Sequence, residues 1–303
     1  ALIVNLRTYV FEDLLRRALE FSGYRVKHVM NITDVGHLTS DADSGEDKIE
    51  IGAKREGESV WDIAKFFTRA FLVDIKKIGI LRAHVLTPAT AHIATQIKIV
   101  RQLFLRGLAY ETTKAVYFHV PKFRSYTKLS RQPLAAKRIG AREEVVVDPE
   151  KKHPADFALW FKRVGRFKDH VMHWPSPWGR GFPGWHIECS AISSKYLGQP
   201  FDIHTGGIDH LPVHHTNEIA QSEGAYGKPL ARFWIEGEHM LVDGRKMSKS
   251  LGNFYTLADV EKRGFEPMDF RYFVFGAHYL KPLNFTSKAL AAERQGRLGL
   301  LNA

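Results

Sequence analysis

The 303-residue sequence has little of several features that would assign it to particular classes of protein. Its single cysteine, Cys189, excludes an internal disulfide framework and fits a reducing compartment, so we expect a cytoplasmic protein. No apolar run approaches the ~20 residues that a membrane span needs, and we expect no membrane partner. We find no internal repeat and no low-complexity tract. The hydrophobic content of 44% rules out disorder over the whole length.

Acidic residues are fewer than basic ones. Asp and Glu number 33 against 44 Lys and Arg, which gives a formal net charge of +11. A strongly basic protein favours a polyanionic partner such as nucleic acid. Because the chain is longer than most single domains, we expect two or three structural units.

The hydrophobic pattern predicts an α/β protein. A helix over residues 5–23 followed by a strand over 24–33 is typical of a βαβ unit. Ser59 predicts the start of a helix that ends at Ile78, and Thr87-Pro88 predicts the start of another. The strand that should precede the first helix has no residues to form it, so we expect the chain to lack a natural N-terminal stretch.

The middle of the chain predicts an inserted subdomain. The periodicity weakens there and basic residues accumulate, which indicates that residues 110–165 interrupt the α/β core. Residues 1–109 then form the first half of the core, and 166–256 form the second half. Within the second half, the pattern predicts a helix from about residue 213 to 225, a strand over 232–242 and a turn at Asp243-Gly244. Residues 257–303 are predicted to be mostly helical.

The first group of residues that can carry chemistry is Cys189, His214 and Glu218. His214 and Glu218 are four residues apart, so on one helix they share a face. Cys189 lies near the start of a predicted helix over 187–197, where the helix dipole favours a thiolate. Thiolate, imidazole and carboxylate all bind zinc, and three protein ligands leave a position for a substrate. A buried cysteine and a surface His–Glu pair are the alternative, and His215 is a weaker ligand candidate.

The second group is a basic loop from Lys246 to Asn253. Its two lysines, Lys246 and Lys249, are three positions apart and are accompanied by two serines and a glycine. Ammonium groups offset the charge that grows on a leaving pyrophosphate, so the loop predicts a polyphosphate site. A solvated basic loop is the alternative interpretation.

The third group follows a predicted strand over residues 201–204. A strand that ends in a glycine pair before a helix is where open α/β sheets bind nucleotides. Gly206 and Gly207 allow a ligand to approach the backbone, and Asp209 can accept a hydrogen bond from a ribose hydroxyl. A tight turn without a ligand explains the same residues.

Taken together, these motifs resemble a known family. KMSKS at residues 246–250 resembles the second signature of class I aminoacyl-tRNA synthetases. GWHIECS (184–190), FDIHTGGIDH (201–210) and HHTNEIAQSE (214–223) resemble cysteinyl-tRNA synthetase in particular. NITDVGH, LSRQ and WPSPWG fit the same family, so the resemblance covers nearly the whole chain in order.

The resemblance implies a fold, a reaction and roles for matching residues. The fold is a Rossmann-like parallel sheet that binds a nucleotide, with an inserted subdomain and a C-terminal helical segment that contacts the tRNA stem. The reaction is the activation of L-cysteine by ATP, with Mg²⁺, to cysteinyl adenylate, followed by transfer to tRNA(Cys). Zn²⁺ selects the substrate thiol, and we expect a monomer. The implied assignments are Trp185, Cys189 and His214 for cysteine; Cys189, His214 and Glu218 for zinc; Lys246 and Lys249 for catalysis; and Asn5, His204, Gly206, Gly207, Asp209 and Lys249 for ATP.

The sequence departs from the family near its start. In the register set by Arg7-Thr8, residues 2–5 occupy the HIGH signature, and only Ile3 is the motif residue. Asparagine is a familiar substitute at the last of these positions, Asn5. A cysteine upstream of HIGH, the family's fourth zinc ligand, has no counterpart, so we expect weaker zinc binding or a water in its place. We also expect a catalytic portion without the anticodon-binding domain.

Two other functions stay open at this point. The related ligase of mycothiol synthesis joins cysteine to an amino-sugar with the same adenylation chemistry and zinc site. NITDVGH, KMSKSLGNF and the charge of +11 favour the synthetase over that ligase. A non-catalytic RNA- or metal-binding paralogue would fit the altered residues 2–5.

Overall fold

The computed structural model describes residues 1–35, 38, 46–134, 148–248 and 252–303. No helix in these ranges is both long enough and apolar enough to cross a membrane. The helices are α1 (Ile3–Phe21), α2 (Lys48–Glu56), α3 (Val60–Lys77), α4 (Ile93–Leu105), α5 (Ile187–Leu197), α6 (Thr216–Tyr226), α7 (Leu257–Lys262), α8 (Pro267–Phe275) and α9 (Ser287–Leu301). The strands are β1 (Val29–Ile32), β2 (Val85–Pro88), β3 (Ala109–Glu111), β4 (Ala115–Phe118), β5 (Phe157–Lys162), β6 (Gly181–Pro183), β7 (Phe201–Gly207), β8 (Ala231–Gly237), β9 (Met240–Val242) and β10 (Leu283–Phe285).

Parallel strand pairs form the framework of the core. β1 pairs with β2, β7 with β8, and β9 with β10, all in parallel. Helix α1 packs against β7 and β9, and α5 packs against β1. Parallel strands need crossover connections, and helices that cover them bury their apolar faces. This arrangement confirms the predicted α/β class.

An antiparallel sheet occupies the middle of the chain, in the order β3-β4-β5-β6. Its interior is aromatic: Phe118 stacks on Phe157 at 5.1 Å between ring centroids, and Trp160 is fully buried. The last strand, β6, comes from beyond residue 165. The boundaries of the inserted subdomain and of the other units stay predictions.

Local signals predicted the ends of some helices but not of all. Ser59 accepts a hydrogen bond from the backbone N–H of Asp62 at 3.1 Å and caps α3, as predicted. The helix predicted to start at Thr87-Pro88 forms as α4 but begins only at Ile93, because Thr87 and Pro88 end β2, where Thr87 pairs with Asn31. A residue before proline is disfavoured in the α conformation. A 3₁₀ turn, Ala89–His92, therefore separates Pro88 from α4.

Three predicted elements are also shorter or divided. The strand predicted over 24–33 forms only at Val29–Ile32, because its partner β2 is four residues long. The strand predicted over 232–242 is divided into β8 and β9. The helix predicted from residue 213 begins at Thr216, since a π-helical turn over Leu211–His215 precedes it.

A buried arginine ties the first helix to the segments around the basic loop. Arg7 is 3% exposed and donates to the carbonyl oxygens of Glu238, His239 and Lys281. The first two lie just before β9, and Lys281 lies just before β10. Because charge-assisted hydrogen bonds are stronger than neutral ones, Arg7 places α1 firmly against the strand that leads into the loop.

Candidate zinc and nucleotide site

Three of the residues selected from the sequence meet at one place. The donor atoms of Cys189, His214 and Glu218 all lie within 4.8 Å of one another. Helix α5 supplies Cys189, the π-helical turn supplies His214, and α6 supplies Glu218. His214 is 6% exposed and Glu218 is fully buried. The structure therefore brings this predicted group together.

The histidine and the carboxylate keep the predicted i, i+4 relationship despite the irregular turn. His214 Nε2 lies 3.7 Å from Glu218 Oε1. The wider turn before α6 is closed by the Thr216 hydroxyl, which donates to the carbonyl of Leu211 at 2.7 Å. Single π turns within helices are frequent at functional sites.

The two oxygens of Glu218 have different surroundings. Oε2 accepts a hydrogen bond from His204 Nε2 at 2.8 Å. His204 is the donor, because an ionised carboxylate can only accept. Oε1 is buried and accepts no hydrogen bond from the nitrogen or oxygen atoms of the described residues. Burial opposes ionisation here, but the charge of His204 and its hydrogen bond hold the pKa of Glu218 well below its usual range. Oε1 faces the Cys189 thiol and the His214 ring, so this buried carboxylate oxygen is placed to act as a cation ligand.

The other two donors are neutral without a cation. Burial lowers the pKa of His214 well below its ordinary value, which leaves a lone pair on the ring. Burial, followed by the charges of Glu218 and Glu188, raises the pKa of the Cys189 thiol well above its ordinary value. The expected effect of the helix dipole on Cys189 is therefore outweighed. A neutral imidazole, a thiol that a cation would deprotonate, and an ionised carboxylate oxygen form a donor set that fits zinc.

A second group of possible ligands shares Glu218 but already has partners. The donor atoms of His204, His215 and Glu218 also lie within 4.8 Å of one another. His204 bonds to Glu218, and His215 Nδ1 donates to Glu236 Oε1 at 2.7 Å. Hydrogen bonds thus account for both histidines. This group orients Glu218 rather than competing with Cys189 and His214 for an ion.

His186 holds the ring of His214, a contact that the sequence analysis missed. The two Nδ1 atoms are 2.9 Å apart, and both side chains are buried. The only sequence signal for His186 is its place in GWHIECS. Trp185, predicted to line the cysteine pocket, has its ring centroid 4.7 Å from that of His214. Trp185 therefore lies directly beside the candidate metal centre.

The residues predicted to bind the nucleotide lie at and after the carboxyl end of β7. His204, Gly206 and Gly207 belong to the strand, and Asp209 lies in the following 3₁₀ turn. A Cβ atom on Gly206 would lie 2.6 Å from Cε1 of His215, so a larger residue would displace that ring. Only glycine therefore fits at this position of β7. The carboxyl end of the strand is also where ligands usually bind in parallel sheets.

The first turns of α1, which contain and follow the position of the HIGH signature, bring Thr8 near this strand end. Thr8 Oγ1 lies 3.9 Å from the position of a Cβ on Gly207. Asn5 is exposed, one helical turn before Thr8 on α1. Leu2 forms an isolated bridge with Thr256, directly after the basic loop. Helix start, strand end and loop exit are therefore neighbours.

Of the two lysines predicted to be catalytic, Lys246 and Lys249, the structure describes one. Lys246 is exposed, four residues after the end of β9. Lys249 lies outside the described residues, so its position relative to the nucleotide stays a prediction.

The fold is that of a known class of protein. A methionyl-tRNA synthetase from Mycobacterium tuberculosis, solved in complex with methionyl-adenylate, superposes with a TM-score of 0.69. The superposition covers 96% of this chain and 65% of that one, at 14% sequence identity. A likeness at this identity shows the fold alone, which is that of the class I aminoacyl-tRNA synthetases. The predicted Rossmann-like core is confirmed.

Sequence comparison then gives the family. The profile described as "tRNA synthetases class I (C) catalytic domain" matches residues 2–295, and the chain belongs to this family. It is 47% identical over 300 residues to the Cysteine--tRNA ligase of Treponema denticola, covering 99% of this chain and 60% of that protein. It is 50% identical over 291 residues to Cysteine--tRNA ligase 1 of Burkholderia lata, covering 96% and 61%. The resemblance to cysteinyl-tRNA synthetase is confirmed, and the chain spans about three fifths of the length of these relatives.

Proposed function

We propose that this chain activates L-cysteine with ATP to cysteinyl adenylate and passes the cysteinyl group to tRNA(Cys). The observation that carries the proposal is the meeting of Cys189, His214 and Glu218 in a buried cluster beside the end of β7. A member of this family needs a thiol-selective site next to a nucleotide site, and these two features are adjacent here.

The cluster accounts for the choice of amino acid. Cys189, His214 and Glu218 would hold Zn²⁺, which when bound supplies an open position that favours a thiolate strongly over a hydroxyl. A pocket that relied on size could not reject serine to the same extent. The Nδ1–H of His214 would donate to His186, which leaves Nε2 free to act as a ligand. Trp185 would bound the side chain of the substrate.

Activation itself requires positioning and positive charge. The carboxylate of cysteine has to be held in line with the α-phosphate, and charge that develops on the leaving pyrophosphate has to be stabilised. Lys246 and Lys249 would supply ammonium groups there, with Mg²⁺ bound to ATP. Asp209 would accept a hydrogen bond from the ribose, and Gly206 and Gly207 would allow the nucleotide to approach the strand.

The remaining nucleotide contacts come from the same edge of the core. Asn5, at the last position of the altered HIGH signature, and His204, on β7, would complete the ATP site. The net charge of +11 suits an RNA partner, and residues 257–303 would contact the stem of the tRNA. We further propose that the protein is a monomer and acts in the cytoplasm, where Cys189 stays reduced.

The comparisons favour this function over the two alternatives. The relatives with 47% and 50% identity are both named as cysteine–tRNA ligases. An amino-sugar ligase would share the zinc site and the adenylation chemistry, so the acceptor is what separates the two. A non-catalytic paralogue would share the metal cluster but not the reaction.

The test combines metal analysis with a partial reaction. We expect about one zinc per chain and ATP–pyrophosphate exchange that depends on cysteine and not on serine. The transfer of the cysteinyl group is then measured with tRNA(Cys) and with glucosaminyl-inositol as acceptors. Charging of the amino-sugar alone would overturn the choice of acceptor. Zinc binding without cysteine-dependent exchange would favour the non-catalytic paralogue.

A further inference from the structure

Asn253, the last residue of the basic loop, is a polar side chain with no assigned role, and it is only 8% exposed. Its carboxamide makes three hydrogen bonds, all to main-chain groups. Oδ1 accepts from the N–H of Ser248 at 2.8 Å, and Nδ2 donates to the carbonyls of Lys246 at 3.2 Å and Val242 at 3.4 Å. One side chain therefore holds three points of the backbone.

The orientation of this amide follows from its partners. Turning it over would place the NH₂ group against the N–H of Ser248 and the oxygen against two carbonyls. Both donor hydrogens of the NH₂ group are used. An asparagine is required for this pattern, because an aspartate lacks the donors and a glutamine is one methylene longer.

The segment before Lys246 has supports besides the hydrogen bond that Asn253 donates to Val242. Val242 is fully buried at the end of β9, and its N–H donates to the carbonyl of Arg245 at 2.8 Å. Asp243 and Gly244 close the turn between them with φ of 50° and 73°. On β10, Asn284 Oδ1 accepts from the N–H of Gly244 at 2.7 Å.

From Lys246 to Ser248, the main chain is held by the side chain of Asn253. The carbonyl of Lys246 and the N–H of Ser248 are both bonded to Asn253. Between them, Met247 packs against the core, and its Sδ accepts from the N–H of Tyr255 at 3.5 Å. The backbone at Lys246 is thus fixed while its side chain is exposed.

We propose that Asn253 is a positioning residue for ATP, which sets the main chain so that Lys246 is presented to the phosphates in one place. This inference rests on the proposed function of Lys246. A preorganised ammonium group stabilises the ligand without first losing its own freedom. When the three hydrogen bonds are lost, the same charge is spread over many positions, and ATP should bind more weakly while cysteine is unaffected.

The experiment measures ATP and cysteine separately. Asn253→Ala removes all three hydrogen bonds, and Asn253→Asp keeps the acceptor for Ser248 but loses the two donations. We expect the Kd for ATP to rise about tenfold in both variants, with slower single-turnover formation of adenylate. The Kd for cysteine and the zinc content should stay within about twofold of the unsubstituted protein.

The matched control is Asn284→Asp. This substitution makes the same chemical change nearby, but the single hydrogen bond of Asn284 uses Oδ1, which aspartate keeps. We expect its Kd for ATP to change less than about twofold. Calorimetry on all variants separates ATP binding from folding.

Three results would overturn the inference, and they can be told apart. Unchanged ATP affinity in both Asn253 variants would reject the role and leave the proposed function standing. Equal losses of ATP and cysteine affinity, or loss of folding in both variants, would show a structural role instead. Absence of ATP binding by the unsubstituted protein would reject the proposed function and this inference with it.

Discussion

The candidate metal cluster and the basic loop hold their charged groups in different ways. Glu218 and His214 are buried, and each is oriented by a second buried or half-buried side chain: His204 for the carboxylate and His186 for the imidazole. Lys246 is exposed, and only its main chain is fixed, by Asn253. One site is preorganised at the level of its side chains, and the other at the level of its backbone.

This difference fits the two tasks that we propose. Telling a thiol from a hydroxyl needs donor atoms whose positions do not adapt, because a site that relaxes around the wrong ligand loses selectivity. A group that contacts polyphosphate has to allow ATP to enter and pyrophosphate to leave, and regions with fewer buried contacts open more easily.

The largest effect is expected from substitutions in the rigid metal cluster. Cys189→Ser and His214→Ala each remove one ligand of a three-residue site, so the affinity for zinc should fall by at least ~100-fold. Metal content after dialysis and competition with a chelator measure this. His278→Ala, a histidine outside the cluster, is the control. Unchanged zinc content in both ligand variants would refute the site.

The next effect concerns the loop. Lys246→Ala and Lys249→Ala should each slow adenylate formation by about 100-fold, because an ammonium group that stabilises the leaving pyrophosphate is lost. Cysteine affinity should change much less. Single-turnover kinetics and equilibrium binding give the two quantities, with the exposed Lys262→Ala as control. Equal rates in the lysine variants and the unsubstituted protein would reject these roles.

The third effect concerns how much stability the protein loses when an ionisable group is buried on the side of the metal cluster. Burial raises the pKa of Glu12 to about 7, although the Thr205 hydroxyl and the charge of His204 oppose the shift. Between its ordinary value of 4.5 and 7, the folded protein holds this proton more firmly than the unfolded chain does. The contribution of Glu12 to stability therefore falls as the pH rises through that window.

Glu12→Gln removes this penalty. At pH 8 we expect its Tm to be higher by roughly 3–6 °C, and the difference should vanish near pH 4. Thermal unfolding across the pH range measures it. Glu20→Gln is the control on the same helix, because Glu20 is partly exposed and paired with Arg16. A difference in Tm that does not depend on pH would contradict the assigned cause.

The smallest expected effect lies at the exit of the loop. Thr256 and Asp259 form a capping box at the start of α7, with their reciprocal hydrogen bonds at 3.3 and 2.9 Å. Thr256→Ala should lower the free energy of unfolding by about 1 kcal/mol, as measured with urea. Thr256→Ser keeps the hydroxyl and serves as control. ATP affinity should not change, since Asn253 and not the helix cap holds Lys246; a parallel loss would contradict this separation.

Local patterns were enough for several features of the fold and the site. Ser59 caps α3 because a side chain and an N–H three residues on are neighbours in any helix start. His214 and Glu218 share a face because residues four apart are about one helical turn apart. Asp243-Gly244 forms the predicted turn. Each of these depends on residues close together in the chain.

Features that depend on distant partners were not predictable in this way. Thr87-Pro88 ends a strand because β1 lies beside it. The ring of His214 is set by His186, 28 residues earlier, and the carboxylate of Glu218 by His204 on another element. Nothing in the spacing of these residues indicates which nitrogen meets which oxygen.

By itself, the sequence determined the α/β class, the family and the set of candidate residues for the site. These follow from periodicity, composition and motifs, which are properties of short stretches of chain. Only the tertiary structure decided which oxygen of Glu218 bonds to His204, how burial offsets the helix dipole at Cys189, and which side chain holds the backbone at Lys246. Desolvation and long-range hydrogen bonds set these properties, and both exist only after distant segments have packed together.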